Sequence, residues 1–376
     1  MAIVGAGAAG LATAIFAAEA RPGLRAVVLD GARTLGAKIL VSGGGRCNVT
    51  NAVVTERDFH GGPSSVVRQV LRAFPADRTV AWFRTLGVPL HEEAHGKLFP
   101  DTHRARTVLD ALLAAAQDRG ADIRPAHRVQ AILRVPAGFE LITPAGTITA
   151  RAVVLATGGL ALPRSGSDGA GYRFAVALGH TIVPTTPALA PLVLDGDLHR
   201  GLQGVPHEAP LPRAAPGAGP RRVAGSLLWT HFGVSGPAAL DLSRHWLRAA
   251  LAGGPPPAVT LASQAFATYE TADAWLRDQA RLAPRAHVTT VLGRALPDAL
   301  ATHVAAIAGV PRDTTLASLR RDHRRALAHA LAELPLAVAG SRGYTYAEAT
   351  AGGVALDEVD PKTMASRRCP GLLVAG

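Results

Sequence analysis

The chain is poor in cysteine, in lysine and in long apolar runs, and each scarcity excludes something. Cys47 and Cys369, the two cysteines, stand far apart with no C-x-x-C spacing. That excludes a disulfide framework, a dithiol redox centre and a cysteine-built zinc site, and it fits a reducing compartment. Apolar residues make up 48% of the 376 residues, yet Gly, Pro or Arg interrupts every apolar run well before the length of a membrane helix. No basic segment followed by an apolar one marks a secretory leader. The expectation is a soluble, cytoplasmic protein with no membrane partner. Lysine occurs three times against 36 arginines, so the net charge of +11 reflects arginine usage in an Ala-, Gly- and Pro-rich chain. The densest basic segment, "RRDHRRALAHALAEL" at 320–334, spaces its arginines as on a solvated helix face. A nucleic-acid partner is not expected from it. The histidines are read as supplying no metal-ligand set, and no metal is expected.

What is abundant is glycine, and its positions carry chemistry. The opening "MAIVGAGAAG" sets a short apolar run before Gly5, Gly7 and Gly10, and the helical stretch "LATAIFAAEA" follows. A second strand-like run, "LRAVVLD", ends at Asp30, twenty residues beyond Gly10. Strand, glycine turn, helix and a distal acid form a dinucleotide-binding unit. Gly5 permits the tight turn, Gly7 lets the backbone approach a pyrophosphate, Gly10 lets helix and strand pack, and Asp30 accepts from a ribose hydroxyl. This pattern alone does not separate FAD from NAD.

Further along, "SSVVRQVLRAF" and "DRTVAWFRTLG" carry helical periodicity, and "VPLHEEAHGKLFP" is β-like. Thr102 is placed as the cap of the helix "ARTVLDALLAAAQDRG", which stops at Gly120. "DIRPAHRVQAILRV" and "GFELITPAGTITA" are expected as paired strands, and "AVVLATGG" as a central parallel strand whose carboxyl end faces a ligand. From 188 to 340 the texture changes to an inserted domain, β-rich to about 265 and helical from about 266. "PLPRAAPGAGP" at 210–220 is a surface loop in it, and Ser235 and Gly236 before Pro237 mark a helix start. One stretch outside it needs a cause: "KILVSGGGRCNVTN" orders three consecutive glycines, the residues that lose most backbone entropy, so something must lie against the loop.

"GAGAAGLATA", "GAKILVSGGGRCNVTN", "LATGG" with "GSDGAGY", "THFGVSGPAAL", and "ATAGGVALDEVDPKTM" followed by "CPGLLVAG" occur in this order. Together they resemble the aminoacetone oxidase-like FAD-binding flavoproteins, or BaiN/RdsA-type NAD(P)/FAD-dependent oxidoreductases, across essentially the whole chain. The resemblance implies an α/β fold: a Rossmann-type, glutathione-reductase-like FAD-binding domain from 1–187 and 341–376, its C-terminal part shortened, interrupted by the inserted β-rich and helical domain at 188–340. It implies that Gly5, Gly7, Ala8, Ala9 and Gly10 hold the pyrophosphate and Asp30 the adenosine ribose. Lys38 and the loop Ser42, Gly43, Gly44, Gly45, Arg46, Cys47 and Asn48 would lie along the flavin. Val129 would meet the adenine through its backbone, Thr157 and Gly158 would line the middle of the cofactor, and Gly376 would adjoin it. Two departures stand out. The family has Glu where Asp30 stands, and it continues beyond "LLVAG" into an acidic residue and a glycine-rich segment leading to a helix that faces the flavin, whereas this sequence ends at Gly376.

The activity so implied is an FAD-dependent oxidoreductase that transfers a hydride between FAD and a small organic substrate of amine, ketone or enone type. NAD(P)H as a transient electron donor follows from the resemblance only, since "GSDGAGY" at 166–172 has no preceding strand and no acid at the right distance. Two alternatives stand beside it: a flavin-dependent RNA-modifying enzyme, and a flavin-binding protein without turnover. No catalytic residue or oligomeric state is assigned. Cys47 is either a reactive thiol activated by Arg46 or, as preferred, a small packed side chain. Arg46 binds a phosphate or ring oxygen, or ties the loop to a carboxylate. His231 is read as structural rather than substrate-facing.

Overall fold

The structure, a computed structural model, describes residues 1–208, 211–215, 218–223, 225–254, 257–262 and 265–376. The chain divides into two compact units, one of residues 1–185 with 352–376 and one of residues 186–351.

The first unit is built on a parallel sheet. Its elements are β1 (Ala2–Val4), α1 (Ala8–Ala20), β2 (Val27–Leu29), α2 (Ala37–Val41), β3 (Thr50–Asn51), α3 (Ser64–Ala73), α4 (Ala76–Thr85), β4 (Leu90–Glu93), β5 (Lys97–Pro100), α5 (Ala105–Asp118), β6 (Asp122–Arg124), β7 (Ala131–Val135), β8 (Gly138–Thr143), β9 (Gly146–Ala150), β10 (Val153–Leu155) and α6 (Ala170–Ala177), with a last strand at Leu372–Val374. The last strand, β10, β1, β2 and β6 lie side by side in that order, all parallel, with Ile3 opposite both Val154 and Val28. The inner strands read AIV, VVL and VVL because both faces are covered. Side chains alternate between those faces. Ile3, Val28 and Val154 pack with Leu11 and Ile15 of α1 and Leu109 and Leu112 of α5. Ala2, Val4, Leu29, Val153 and Leu155 pack with Ile132, Phe139 and Leu141 of the antiparallel sheet β7-β8-β9. Each fully buried Ile, Leu or Val here stabilises by about 1.5–3 kcal/mol.

Gly10 is what allows α1 to lie so close to β1. A Cβ there would stand 1.9 Å from the Gly5 carbonyl oxygen. Gly5 itself has φ +108, and a Cβ on it would stand 2.4 Å from the Ala156 oxygen. The expected strand-turn-helix-strand unit is therefore present, with a steric reason for glycine at both Gly5 and Gly10.

The second unit has its own core around Leu202, Trp229, Leu242, Leu276 and Leu327. It holds a five-stranded sheet in the order 206–208, 226–230, 233–235, 192–194, 338–341 and a four-stranded one in the order 218–223, 211–215, 259–261, 334–336. Five helices accompany them: Pro237–Leu251, Tyr269–Leu282, Val288–Leu292, Asp298–Ile307 and Arg321–Ala332. Pro237 opens the first of these, with Gly236 before it, as its sequence suggests. Arg321–Ala332 buries Leu327, Ala328, Leu331 and Ala332, leaving Arg321 and Arg325 exposed while Arg324 turns in to donate to the buried Asp273 at 2.8 Å.

Several expectations are corrected. Thr102 does not cap α5; Arg104 precedes the helix without a side-chain cap, and the Thr102 hydroxyl bonds that of Thr107 at 2.8 Å. "DIRPAHRVQAILRV" is two strands, because β6 joins the parallel sheet beside β2 and only β7 pairs with β8. Within the supposed loop 210–220, Leu211–Ala215 pairs antiparallel with Ala218–Val223, residues 210, 216 and 217 lying outside the described residues. The strand Val338–Ser341 pairs with Leu192–Leu194, so the chain returns to the first unit after 351 and not at 341. No helix among the described residues is long and apolar enough to cross a membrane.

Candidate active site

A cleft of about 400 Å³ opens in the first unit where β1, β2 and β10 end, lined by Gly5, Asp30 and Thr157 among others. Ligands in such sheets bind beyond the carboxyl ends of the strands for a physical reason: the strands stop there, and glycine turns expose backbone N–H groups. Gly7 caps α1 with no side-chain hydrogen bond, so the first-turn N–H groups of the helix carry positive potential into the cleft. A Cβ on Gly7 would meet nothing within 4 Å, which is the room a pyrophosphate needs.

Asp30 follows β2 and holds two backbone segments together. Its Oδ2 accepts from the Ala6 N–H at 2.7 Å and its Oδ1 from the Ala32 N–H at 2.8 Å. The carboxylate thus fixes the glycine turn and still borders the cleft. Lys38, on α2, reaches the Ala161 carbonyl at 3.4 Å. Ser42 donates to the Ile39 carbonyl at 2.9 Å, and the Asn48 amide faces the carbonyl oxygens of Leu98 and Thr50, to which its NH₂ belongs. Val129 lies just ahead of β7 rather than within a strand, packed beside Val4 and Leu29.

Of the residues singled out in the sequence, Gly5, Gly7, Ala8, Ala9, Asp30, Lys38, Ser42, Cys47, Asn48, Val129, Thr157, Gly158 and Gly376 lie together on this cleft. Gly10, Gly43, Gly44, Gly45 and Arg46 are not on its wall. Gly10 serves the helix–strand contact. The three glycines of the loop have φ of +55, +68 and +86, and a Cβ on Gly44 would meet nothing within 4 Å. All three adopt the left-handed backbone that glycine tolerates best. Arg46 turns the other way: its Nη1 donates to Glu93 Oε1 at 2.7 Å and Oε2 at 3.0 Å, and its guanidinium lies 4.2 Å over the Phe99 ring. That resolves the choice left open for Arg46 in favour of a carboxylate. Cys47 is buried, and burial pushes its thiol up from the ordinary value. A thiolate is disfavoured there, so the packed reading fits. His231 is exposed at the turn before Gly233–Ser235, its ring against Phe232.

Two charged residues escaped the sequence reading. Arg128 and Asp168, forty positions apart, form an ion pair and both line the cleft. Burial would raise the Asp168 carboxyl, but the Arg128 guanidinium and the Ala170 N–H outweigh it and hold the group below the usual range. The signal was present, since Asp168 lies in "GSDGAGY" and Arg128 adjoins Val129, but nothing local ties the two. Phe83, Val108, Leu112 and Phe174 also line the cleft and give it apolar surface.

The expectation of no metal ligands also needs revision. "HEEAH" at 91–95 has the H-E-x-x-H spelling, but it folds as β4 and a short turn with His95 at φ +65, so the two histidines do not share a helix face. Among the described residues, the ligand-type atoms that do converge are those of His91, Glu93 and His103, all within 4.8 Å of one another.

Residues 1–376 match the protein family described as HI0933-like protein Rossmann domain. The chain is 30% identical over 374 residues to the ribosomal RNA dihydrouridine synthase of Escherichia coli (strain K12), with 100% of this chain and 90% of that protein covered. It is 28% identical over 386 residues to the 3-dehydro-bile acid delta(4,6)-reductase of Clostridium scindens, with 100% and 91% covered. Among solved structures, the E. coli quinol fumarate reductase FrdA aligns over 100% of this chain and 63% of its own at 17% identity, with a TM-score of 0.47.

Proposed function

Because the chain belongs to the HI0933-like family of FAD-dependent oxidoreductases, we propose that it saturates a carbon–carbon double bond conjugated to a carbonyl, with FAD held in the cleft of the first unit. The observation that carries the cofactor half is the opening of the cleft at Gly7, where the uncapped N-terminus of α1 points into space that no side chain fills. When bound, FAD supplies hydride acceptance and donation. The chain's own residues hold and enclose it. The first turn of α1 receives the pyrophosphate, Asp30 keeps the glycine turn in shape while offering its carboxylate to the ribose, and apolar side chains of the lining, Phe83 and Phe174 among them, keep water out.

The substrate half rests on chemistry common to the relatives. One is named for making dihydrouridine in ribosomal RNA, the other for reducing a delta(4,6) 3-dehydro bile acid. Both names describe loss of a double bond conjugated to a carbonyl, which favours the enone class over amines. A small enone is the first reading. A uracil base in RNA is the second, supported by the relative named for dihydrouridine in ribosomal RNA.

The test starts from flavin-loaded protein reduced anaerobically and mixed with a 4-en-3-one steroid or with ribosomal RNA, while the visible flavin band is followed. Return of the band with the steroid supports the first reading. Return only with RNA, weakening steeply as salt rises, supports the second. Reduced protein that stays bleached with both overturns the proposal.

A further inference from the structure

We propose that His91, Glu93 and His103 form a binding site for a first-row divalent cation of zinc type, separate from the cleft. His91 and Glu93 are two apart on β4 and so project from one face of the strand. His103 follows β5, in a turn fixed by the His103 N–H bonding the Pro100 carbonyl at 2.8 Å and the Asp101 N–H bonding the Pro89 carbonyl at 3.0 Å. That turn brings the two imidazoles to 4.6 Å between ring centroids.

The spacing is that of a coordination sphere. His91 Nε2 lies 3.4 Å from Glu93 Oε1, and His103 Nδ1 lies 3.7 Å from the same oxygen. Ligand atoms on a tetrahedral zinc with bonds of about 2.0–2.1 Å stand roughly 3.3 Å apart, so the two distances to Glu93 Oε1 are already near those of a coordination sphere, and all three ligand atoms lie within 4.8 Å of one another. Both nitrogens of His91 face carboxylate oxygens, Nδ1 that of Asp101 at 3.1 Å and Nε2 that of Glu93 at 3.4 Å, so with a cation on Nε2 Asp101 would hold the remaining proton on Nδ1. Two nitrogens and one carboxylate oxygen suit zinc and its neighbours rather than magnesium or calcium, and three protein ligands leave a fourth position for water.

Arg46 is the competing cation. It neutralises Glu93 without metal, and with His91 it holds that carboxyl below the usual range. An incoming cation must take Oε1 from it. Removing Arg46 therefore strengthens metal binding, the opposite of what a merely structural ion pair predicts.

The experiment uses the untagged full chain, stripped with a chelator and titrated with Zn²⁺ against a chromogenic competitor. One equivalent is expected to bind, and to be lost in both His91→Asn and His103→Asn. Asp101→Asn should weaken binding roughly 10-fold, and Arg46→Gln should tighten it by about 2- to 5-fold, the scale of a part-exposed ion pair. Co²⁺ should give the visible bands of a nitrogen–oxygen site with no thiolate charge-transfer band. A readout on the unaltered chain guards against variants that fail to fold: Zn²⁺ should protect His91 and His103, but not exposed His95, from acylation. No uptake, uptake unchanged in both histidine variants, a thiolate band, or equal protection of His95 would each overturn the proposal.

Discussion

Gly7 and Gly10, three positions apart in one turn of sequence, predict opposite outcomes. An alanine methyl at Gly10 would stand 1.9 Å from a backbone oxygen, which cannot swing away as a side chain would. Overpacking of this kind costs about 1–3 kcal/mol, so Gly10→Ala should lower the melting temperature even without cofactor. Gly7 has φ −80 and open space where a Cβ would go. Gly7→Val should leave the melting temperature of the cofactor-free protein nearly unchanged, within about 0.5 kcal/mol, yet abolish flavin binding. A Gly7→Val protein that keeps its flavin would remove the cleft as the cofactor site. The glycines of "SGGGRCN" belong to a third kind: at Gly44 the backbone is left-handed, so valine there carries a strain of about 1–2 kcal/mol whatever else it meets. The expectation that this loop is ordered by something lying against it is only half met, since what lies against Gly43 is Asn48 and Phe99 of the protein itself.

Elements far apart in sequence are joined by single buried side chains, and Glu358 is the clearest. It sits in "LDEVD", just after the chain returns to the first unit, and is buried. The Thr181 N–H donates to it at 2.8 Å, the Thr181 hydroxyl at 3.0 Å, Arg368 at 3.0 and 3.1 Å, and His180 Nδ1 lies at 3.0 Å. These groups, the Thr181 N–H foremost, hold its carboxyl at about 2 against an ordinary 4.5. A depressed folded value means the stabilisation is complete above about pH 4.5 and drains away as pH falls toward 2. Unfolding midpoints measured from pH 6 to pH 3 should therefore fall with acid, and Glu358→Gln should start lower and fall less. A parallel fall in the variant would show that other carboxylates set the acid limit.

No local pattern could have revealed that network, because His180 and Thr181 lie 178 and 177 positions from Glu358, and only Arg368, ten positions on, is near in sequence. The same distinction separates the legible parts of this sequence from the rest. β1, the glycine turn, α1 and β2 were readable because every constraint on them lies within thirty residues: apolar runs, glycines with steric reasons, an acid at the strand end. β6 was misjoined to β7 because three residues of strand carry no mark of which sheet they enter. The pairing of Leu211–Ala215 with Ala218–Val223 was hidden by Pro and Gly, which signal turns more strongly than short strands signal pairing. Arg128 with Asp168, and His91 with Glu93 and His103, are products of folding. Only "HEEAH" hinted at the second set, and it did so through a helical spacing that the strand does not have.

At the scale of the molecule, two sets of cores follow the division of the chain. The cluster containing Trp229 and Leu202 draws on residues from the second unit, whereas the clusters on the two faces of the parallel sheet draw on the first. A ligand that binds only the folded form stabilises what it touches by mass action, about 2.7 kcal/mol at 100 times its Kd. Every residue of the cleft is in the first unit. With FAD at that excess, amides of β1, β2 and β10 should exchange with solvent deuterium roughly 100-fold more slowly. Those of Leu192–Leu194 and Ser226–Thr230 should keep their cofactor-free rates if each core unfolds by itself. Equal slowing in both sets would mean that the units unfold as one cooperative body, and no slowing in either would mean that the cleft does not hold FAD. The measurement reads cofactor binding and the independence of the two cores from the same peptides, without a substitution that could disturb either.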